Sequence, residues 1–162
     1  MREWIVKGIG ALLLLAASVG YGFSMIGEEK RKIRELRALV RLVRHIRESI
    51  DGLRRPLPQI FAAFSDPALA ENGFLPLLRE RGFEAAARET PWRQTEEVKR
   101  LLSDFGSSLG RGFADEELAL CRYTEAKLSE ALAALEKAAP DREKLWRSIP
   151  ALLALSVILL ML

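Results

Sequence analysis

Two uncharged apolar runs bracket the chain, Gly8–Ile26 and Ile149–Leu162, and a strongly charged stretch separates them. The first run holds nineteen residues without a charge, close to the ~20 a helix needs to cross a hydrocarbon core at about 1.5 Å per residue. Between the runs, apolar positions recur every third or fourth residue. From Glu28 to Leu53 they are Ile33, Leu36, Val40, Val43, Ile46, Ile50 and Leu53, the spacing of one helical face. Arg and Glu fill the other faces, and no Gly or Pro intervenes before Gly52 and Pro56. The spacing predicts a long helix that continues from the first run.

Shorter elements follow. Pro56 and Pro58 mark a turn, and Leu57, Ile60, Phe61 and Phe64 predict a short helix. Ser65-Asp66-Pro67 and Asn72-Gly73 carry turn chemistry around another brief apolar piece. Leu75–Arg88 reads as a helix broken at Arg81-Gly82. Thr90-Pro91 reads as the start of the next one, an N-cap hydroxyl followed by Pro at the first helical position. Trp92, Thr95, Val98, Leu102 and Phe105 then line one side, and the stretch from Gly106 to Gly112 ends that helix. Asp115 is placed to cap a last helix through Leu118, Cys121, Leu128, Leu132 and Leu135. Pro140 is expected to kink or interrupt it before residues 142–147 lead into the second run. No stretch alternates with period two long enough to predict a strand. The expected fold is all-α: an N-terminal transmembrane helix (1–27), a cytosolic helical bundle domain (28–147) and a C-terminal transmembrane helix (148–162).

Charge sets the expected topology. With 25 basic and 22 acidic residues the net charge is +3, a balanced surface that does not suit a nucleic-acid partner. Position matters more than the total. Lys30, Arg31, Lys32, Arg34, Arg37 and Arg41 lie within the ~15–20 residues over which the positive-inside rule is counted. Arg142, Lys144 and Arg147 flank the second run. The middle domain is therefore expected in the cytosol, with both termini facing away from it. The basic face near the bilayer serves as a topology signal and can contact anionic lipid. A signal peptide is the competing reading of the first run, but the run is long and still apolar at its end.

Candidate chemistry is sparse. The single histidine, His45, has no second His near it, so no metal site is expected. Cys121 falls on an apolar helix face and reads as a small buried hydrophobe. Gly106-Ser107-Ser108-Leu109-Gly110 lacks the Lys-Ser/Thr that grips phosphate. Asp115, Glu116 and Glu117 open a helix, where acids complement its dipole. Trp4 and Trp146 lie near the two expected membrane boundaries, and Trp92 is expected in the core. No catalytic residue, metal or cofactor is expected.

Four segments, taken in order, resemble the stage III sporulation protein AB family of endospore-forming bacteria. They are the opening span from Lys7 through Gly22-Phe23; Leu36-Arg37 followed by Pro56-Leu57-Pro58; Phe105-Gly106-Ser107-Ser108-Leu109-Gly110; and Glu143–Ile149 with the apolar tail after it. The chain departs from the family pattern where Asp115 comes late after Leu109-Gly110. Leu118 or Ala119 stands in place of the usual Gln, and Pro150 replaces a Gly.

The resemblance implies a non-enzymatic membrane component of the channel complex between mother cell and forespore. It implies a helical domain like the platform proteins of type II secretion and type IV pilus machines, in the outer forespore membrane with its domain in the mother-cell cytosol. The implied partners are a cytosolic secretion-type ATPase and the other membrane proteins of the complex; self-association is left open. Phe105, Gly106, Leu109 and Gly110 are the candidate partner contact, because a Gly-rich turn lets another backbone approach closely; a plain helix–helix connection is the equal alternative. The alternatives are a membrane-anchored helical adaptor or coiled-coil scaffold unrelated to secretion, and an exported domain held by its C-terminal tail.

Overall fold

The computed structural model describes residues 2–53 and 55–161, with side chains described mainly between residues 24 and 149. Six helices follow one another: α1 (Arg2–Leu53), α2 (Leu57–Ala63), α3 (Pro67–Glu71), α4 (Phe74–Glu89), α5 (Glu96–Ser108) and α6 (Ala114–Met161). Among the described residues there is no strand. The chain divides into two compact units, residues 31–135 and the two terminal segments 1–30 with 136–162.

The larger unit is built on the apolar face of α1. Leu36, Leu39, Leu42, Val43 and Ile46 are wholly buried there. They meet Ile60 of α2, Leu69 of α3, Phe74 and Leu78 of α4, Leu102 and Phe105 of α5, and Cys121 and Leu128 of α6 in one core. The helical seam that a coiled coil would need is thus covered by the chain's own helices.

Local sequence explains the short elements. Pro56 precedes α2 in extended backbone, as a residue with a fixed φ can before a helix. Asp66 caps α3 by accepting from the Ala68 N–H at 2.9 Å, with Pro67 at the first helical position. Gly73 turns the chain at φ 82° before α4. Gly82 adopts φ 83°, ψ 177° inside α4 and breaks it where Arg81-Gly82 predicted a break.

Three expectations are corrected. Thr90-Pro91 does not start α5. Thr90 ends α4, its buried hydroxyl donating to the Ala86 carbonyl at 2.7 Å, and Thr95 caps α5 by accepting from the Val98 N–H. Trp92 is buried between the two helices, its indole N–H donating to Ala87 O at 2.7 Å. A side chain that needs both a pocket and an acceptor holds residues 91–95 in a turn. Asp115 lies in the first turn of α6 and is not its cap; the loop N–H groups are taken by Glu116 and Glu117. Pro140 does not interrupt α6, which runs on to Met161. Pro140 is exposed, so the lost backbone bond falls where water can replace it.

In the terminal unit, residues 8–26 and 149–161 of the two apolar runs are helical as parts of α1 and α6. Among the described residues no helix is long and apolar enough to cross a membrane, and most apolar side chains of the two runs lie outside those described. Within this unit Arg142 donates to Glu29 at 2.9 Å. The side chains of Trp4, Trp146 and Arg147 also lie outside those described.

Candidate interaction surface

The corner between α5 and α6 is held by several hydrogen bonds. Its first half packs inward. Phe105 is buried and meets the Phe83 ring edge-on at 4.9 Å between centroids. Phe83 in turn meets Phe74, which packs on Trp92. Gly106 lies inside α5 against α4, where an added Cβ would stand 2.9 Å from the Glu84 Cα. The glycine is required for two helices to approach closely within the chain. Leu109 is buried and closes α5, its N–H donating to Phe105 O at 2.9 Å.

The second half turns outward. Gly110 is exposed, at φ 84°, the left-handed conformation common just past a helix end. Glu117, buried at the start of α6, reaches back with Oε1 to accept from the N–H groups of Gly110 and Gly112, each at 2.9 Å. Glu116 accepts from the Phe113 N–H at 3.1 Å. Three loop donors are thereby satisfied by carboxylates at a helix N-terminus, where the dipole also favours negative charge. The fixed loop carries Phe113, which is 83% exposed. Of the sequence-chosen contact residues, then, Phe105, Gly106 and Leu109 are committed to internal packing and Gly110 reaches the surface.

Further along α5 and α6 runs a groove of about 630 Å³. Val98, Leu101 and Ala131 line it, and Glu97, Asp104 and Glu130 stand among its charged residues.

A second polar cluster ties α1 to the connections around it. Glu35 is 2% exposed although it sits in the basic stretch of α1. It accepts from Asn72 Nδ2 and Gln94 Nε2, each at 2.7 Å, and from the Arg93 N–H at 3.3 Å. Gln94 also donates to the Lys32 carbonyl at 3.0 Å. Arg41 pairs with the Asp66 carboxylate, so the α3 cap is held against α1 as well. Glu125 of α6 receives Arg44 on one oxygen at 2.8 Å and Arg47 on the other at 2.9 Å. Burial pushes the Glu125 carboxyl up, but the two guanidinium hydrogen bonds and charges outweigh it and hold the group below its ordinary range.

Of the membrane-flanking cations, Lys30 belongs to the terminal unit and is exposed. Arg31, Arg34 and Arg37 are exposed in the larger unit and Lys32 is half-buried. Arg34, Arg37 and Arg41 share a cleft with Asp66 and Glu71. His45 is half-buried, its Nε2 3.3 Å from the Ile60 carbonyl and its ring tilted against Phe64. Cys121 is wholly buried, and its thiol is pushed up to about 12 by burial and then by the Glu117 carboxylate. Among the described residues no group of His, Cys, Asp and Glu could hold a metal ion.

Glu116 and Glu117 take the capping role that acids opening a helix suggest, whereas Glu35 and Phe113 do not stand out in the sequence for their roles. Glu35 carries no local signal, because its partners lie 37 and 59 residues away. Phe113 does carry one, as a large apolar side chain between Gly112 and a helix start.

Comparison with known proteins bears out the resemblance over the first part of the chain. The family model described as stage III sporulation protein AB matches residues 7–73. The match covers the first apolar run, the basic helix and the Pro56-Leu57-Pro58 turn; the Phe105–Gly110 and Glu143–Ile149 segments lie outside it. No curated protein and no solved structure matches the chain.

Proposed function

We propose, from the match of residues 7–73 to the stage III sporulation protein AB family, that this protein is a non-enzymatic membrane component of the channel complex joining mother cell and forespore. The family supplies a role at sporulation stage III. The finer reading rests on the residues themselves. The uncharged runs 8–26 and 149–162 have the composition of membrane-crossing helices, the second at the low edge of the required length. The flanking cations favour a two-pass arrangement with residues 28–147 in the mother-cell cytosol. The helical domain then offers a docking surface to a cytosolic secretion-type ATPase, and movement driven by nucleotide passes through α1 and α6 toward the bilayer. Among the candidate contacts, Gly110 is the exposed position, on a loop whose backbone is already ordered.

The single observation that carries this reading is the family match. Deleting the gene in its own host and scoring spore formation tests it. An arrest at stage III, rescued by the intact gene, is the expected outcome; normal spore yield would sink the role. Co-purification of the ATPase with the full chain in detergent tests the docking. Labelling a cysteine placed after Leu162 from each side of the membrane tests the two-pass arrangement, which requires reaction from the non-cytosolic side.

A further inference from the structure

The α5–α6 corner and the α5–α6 groove are different places on one unit, and their chemistries match. The corner presents an aromatic ring and a cation two residues apart: Phe113 is 83% exposed, and the Arg111 side chain is 71% exposed, with Glu84 at 3.4 Å. The loop between them does not need to be ordered on binding, because Glu116 and Glu117 already hold its N–H groups. Preordering removes much of the entropy cost that a mobile loop would lose on association. An exposed ring and an exposed Arg on one fixed loop have the composition of an interface anchor.

The groove begins about three turns further along α6, at Tyr123. It is open, about 630 Å³, and apolar at Val98, Leu101 and Ala131. Four acids line it, Glu96, Glu97, Asp104 and Glu130, against two cations, Arg100 and Lys127; Lys127 pairs with Glu130 at 3.1 Å and Glu96 with Lys99 at 2.8 Å. The groove is apolar below and net acidic at its exposed edge, the complement of a loop that carries an aromatic ring and a guanidinium.

We propose that the protein self-associates through this pair of surfaces, with the Arg111–Phe113 corner of one copy seated in the α5–α6 groove of the next. Knob and groove are separate patches, so the contact is heterologous. Each copy that uses its knob still offers its groove, and assembly can continue beyond a dimer. The inference stands on the larger unit alone and does not require the sporulation role.

Sedimentation of the full chain in detergent, over a range of protein concentrations, tests it. The wild type is expected to form species larger than a dimer as concentration rises. Phe113→Ser removes the knob, and Ala134→Arg fills an exposed position lining the groove. Each variant alone should associate at least about tenfold more weakly, roughly 1.4 kcal/mol. An equimolar mixture of the two should form heterodimers and stop there, since only one intact knob and one intact groove can meet. Glu97→Arg provides a second groove variant, and far-UV circular dichroism shows that each variant keeps its helices. A wild type that is monomeric at every concentration would overturn the proposal. So would variants that associate as the wild type does.

Discussion

Replacing Glu35 should unlock the connections around α3 and α5 from α1, and the size of the loss follows from its partners. The carboxylate is 2% exposed and accepts two hydrogen bonds at 2.7 Å, from Asn72 and Gln94, and a longer one from the Arg93 N–H. Glu35→Leu removes all of these acceptors. Gln94 is 7% exposed and would keep a buried donor without this partner, at a cost of about 1–3 kcal/mol. Asn72 is half-buried and recovers part of its bond from water, so its share is at most about 1 kcal/mol. Removing the buried charge returns some desolvation energy. The net loss is expected at about 2–3 kcal/mol, a sizeable part of a stability of about 5–15 kcal/mol.

Glu35→Gln keeps the volume and one acceptor oxygen but turns an NH2 toward another NH2, and should cost about 1–2 kcal/mol. Urea unfolding of the full chain in detergent, followed by circular dichroism, gives the midpoint and slope for each variant. The expected order is wild type, Gln, then Leu, at constant slope. Adding Gln94→Leu to Glu35→Leu should cost less than Gln94→Leu alone, because the second amide hydrogen then has no partner to lose and only the bond to the Lys32 carbonyl goes. A Leu variant as stable as the wild type would refute the reasoning, for it would mean that desolvating the carboxylate cancels everything its hydrogen bonds contribute.

Gly106→Ala sets helix propensity against packing. The propensity gain is up to about 1 kcal/mol, but the new Cβ would sit 2.9 Å from backbone at Glu84, an overpacking cost of about 1–3 kcal/mol. A net loss of about 1–2 kcal/mol is expected, whereas Gly52→Ala, with nothing within 4 Å, should be neutral or slightly stabilising in the same unfolding assay. Glu125 titrates lower in the folded chain than in the unfolded one, so its pairing is fully present above the unfolded value of about 4.3 and is lost as pH falls through the folded value. Glu125→Gln should remove about 1 kcal/mol at neutral pH and flatten the acid limb of a stability–pH curve; an unchanged limb would contradict the clamp. Cys121, raised from 9.0 to about 12, has about a thousandfold less thiolate at neutral pH than an ordinary thiol. A maleimide should therefore leave it unmodified until the protein unfolds, and rapid labelling of native protein would show that the α6 face is open.

The helical faces were legible because each helix buries a stripe that recurs with the helical period. Ile46, Leu102 and Leu128 could be assigned to a core from spacing alone, as could the break at Gly82 and the turn before α2. Helix ends were read less well where a distant side chain decides them. Thr90-Pro91 has the local chemistry of a start, yet Trp92 needs both a pocket between α4 and α5 and the Ala87 carbonyl, and that need moves the start to Thr95. Pro140 looks like a stop, but it is exposed, so water can take the freed carbonyl, and α6 runs on to Met161. The contact segment shows the same limit. Phe105 through Gly110 reads as one turn, yet Phe105 and Gly106 lie against Phe83 and Glu84 of α4 and Leu109 is buried in the core.

Periodicity, glycine and proline placement, and the two greasy ends are properties of neighbouring residues, and they are enough to specify an all-helical chain with its apolar face on α1. The burial of a carboxylate at Glu35, the close approach at Gly106, and a corner that holds Phe113 out in water depend on residues far apart in the chain. Such features arise only when helices meet, since a hydrogen-bond partner or a clash has no existence along a single strand of text. The physical divide is range: torsional and periodic preferences act within about one turn, while desolvation and packing are fixed by whatever the fold brings within a few ångströms.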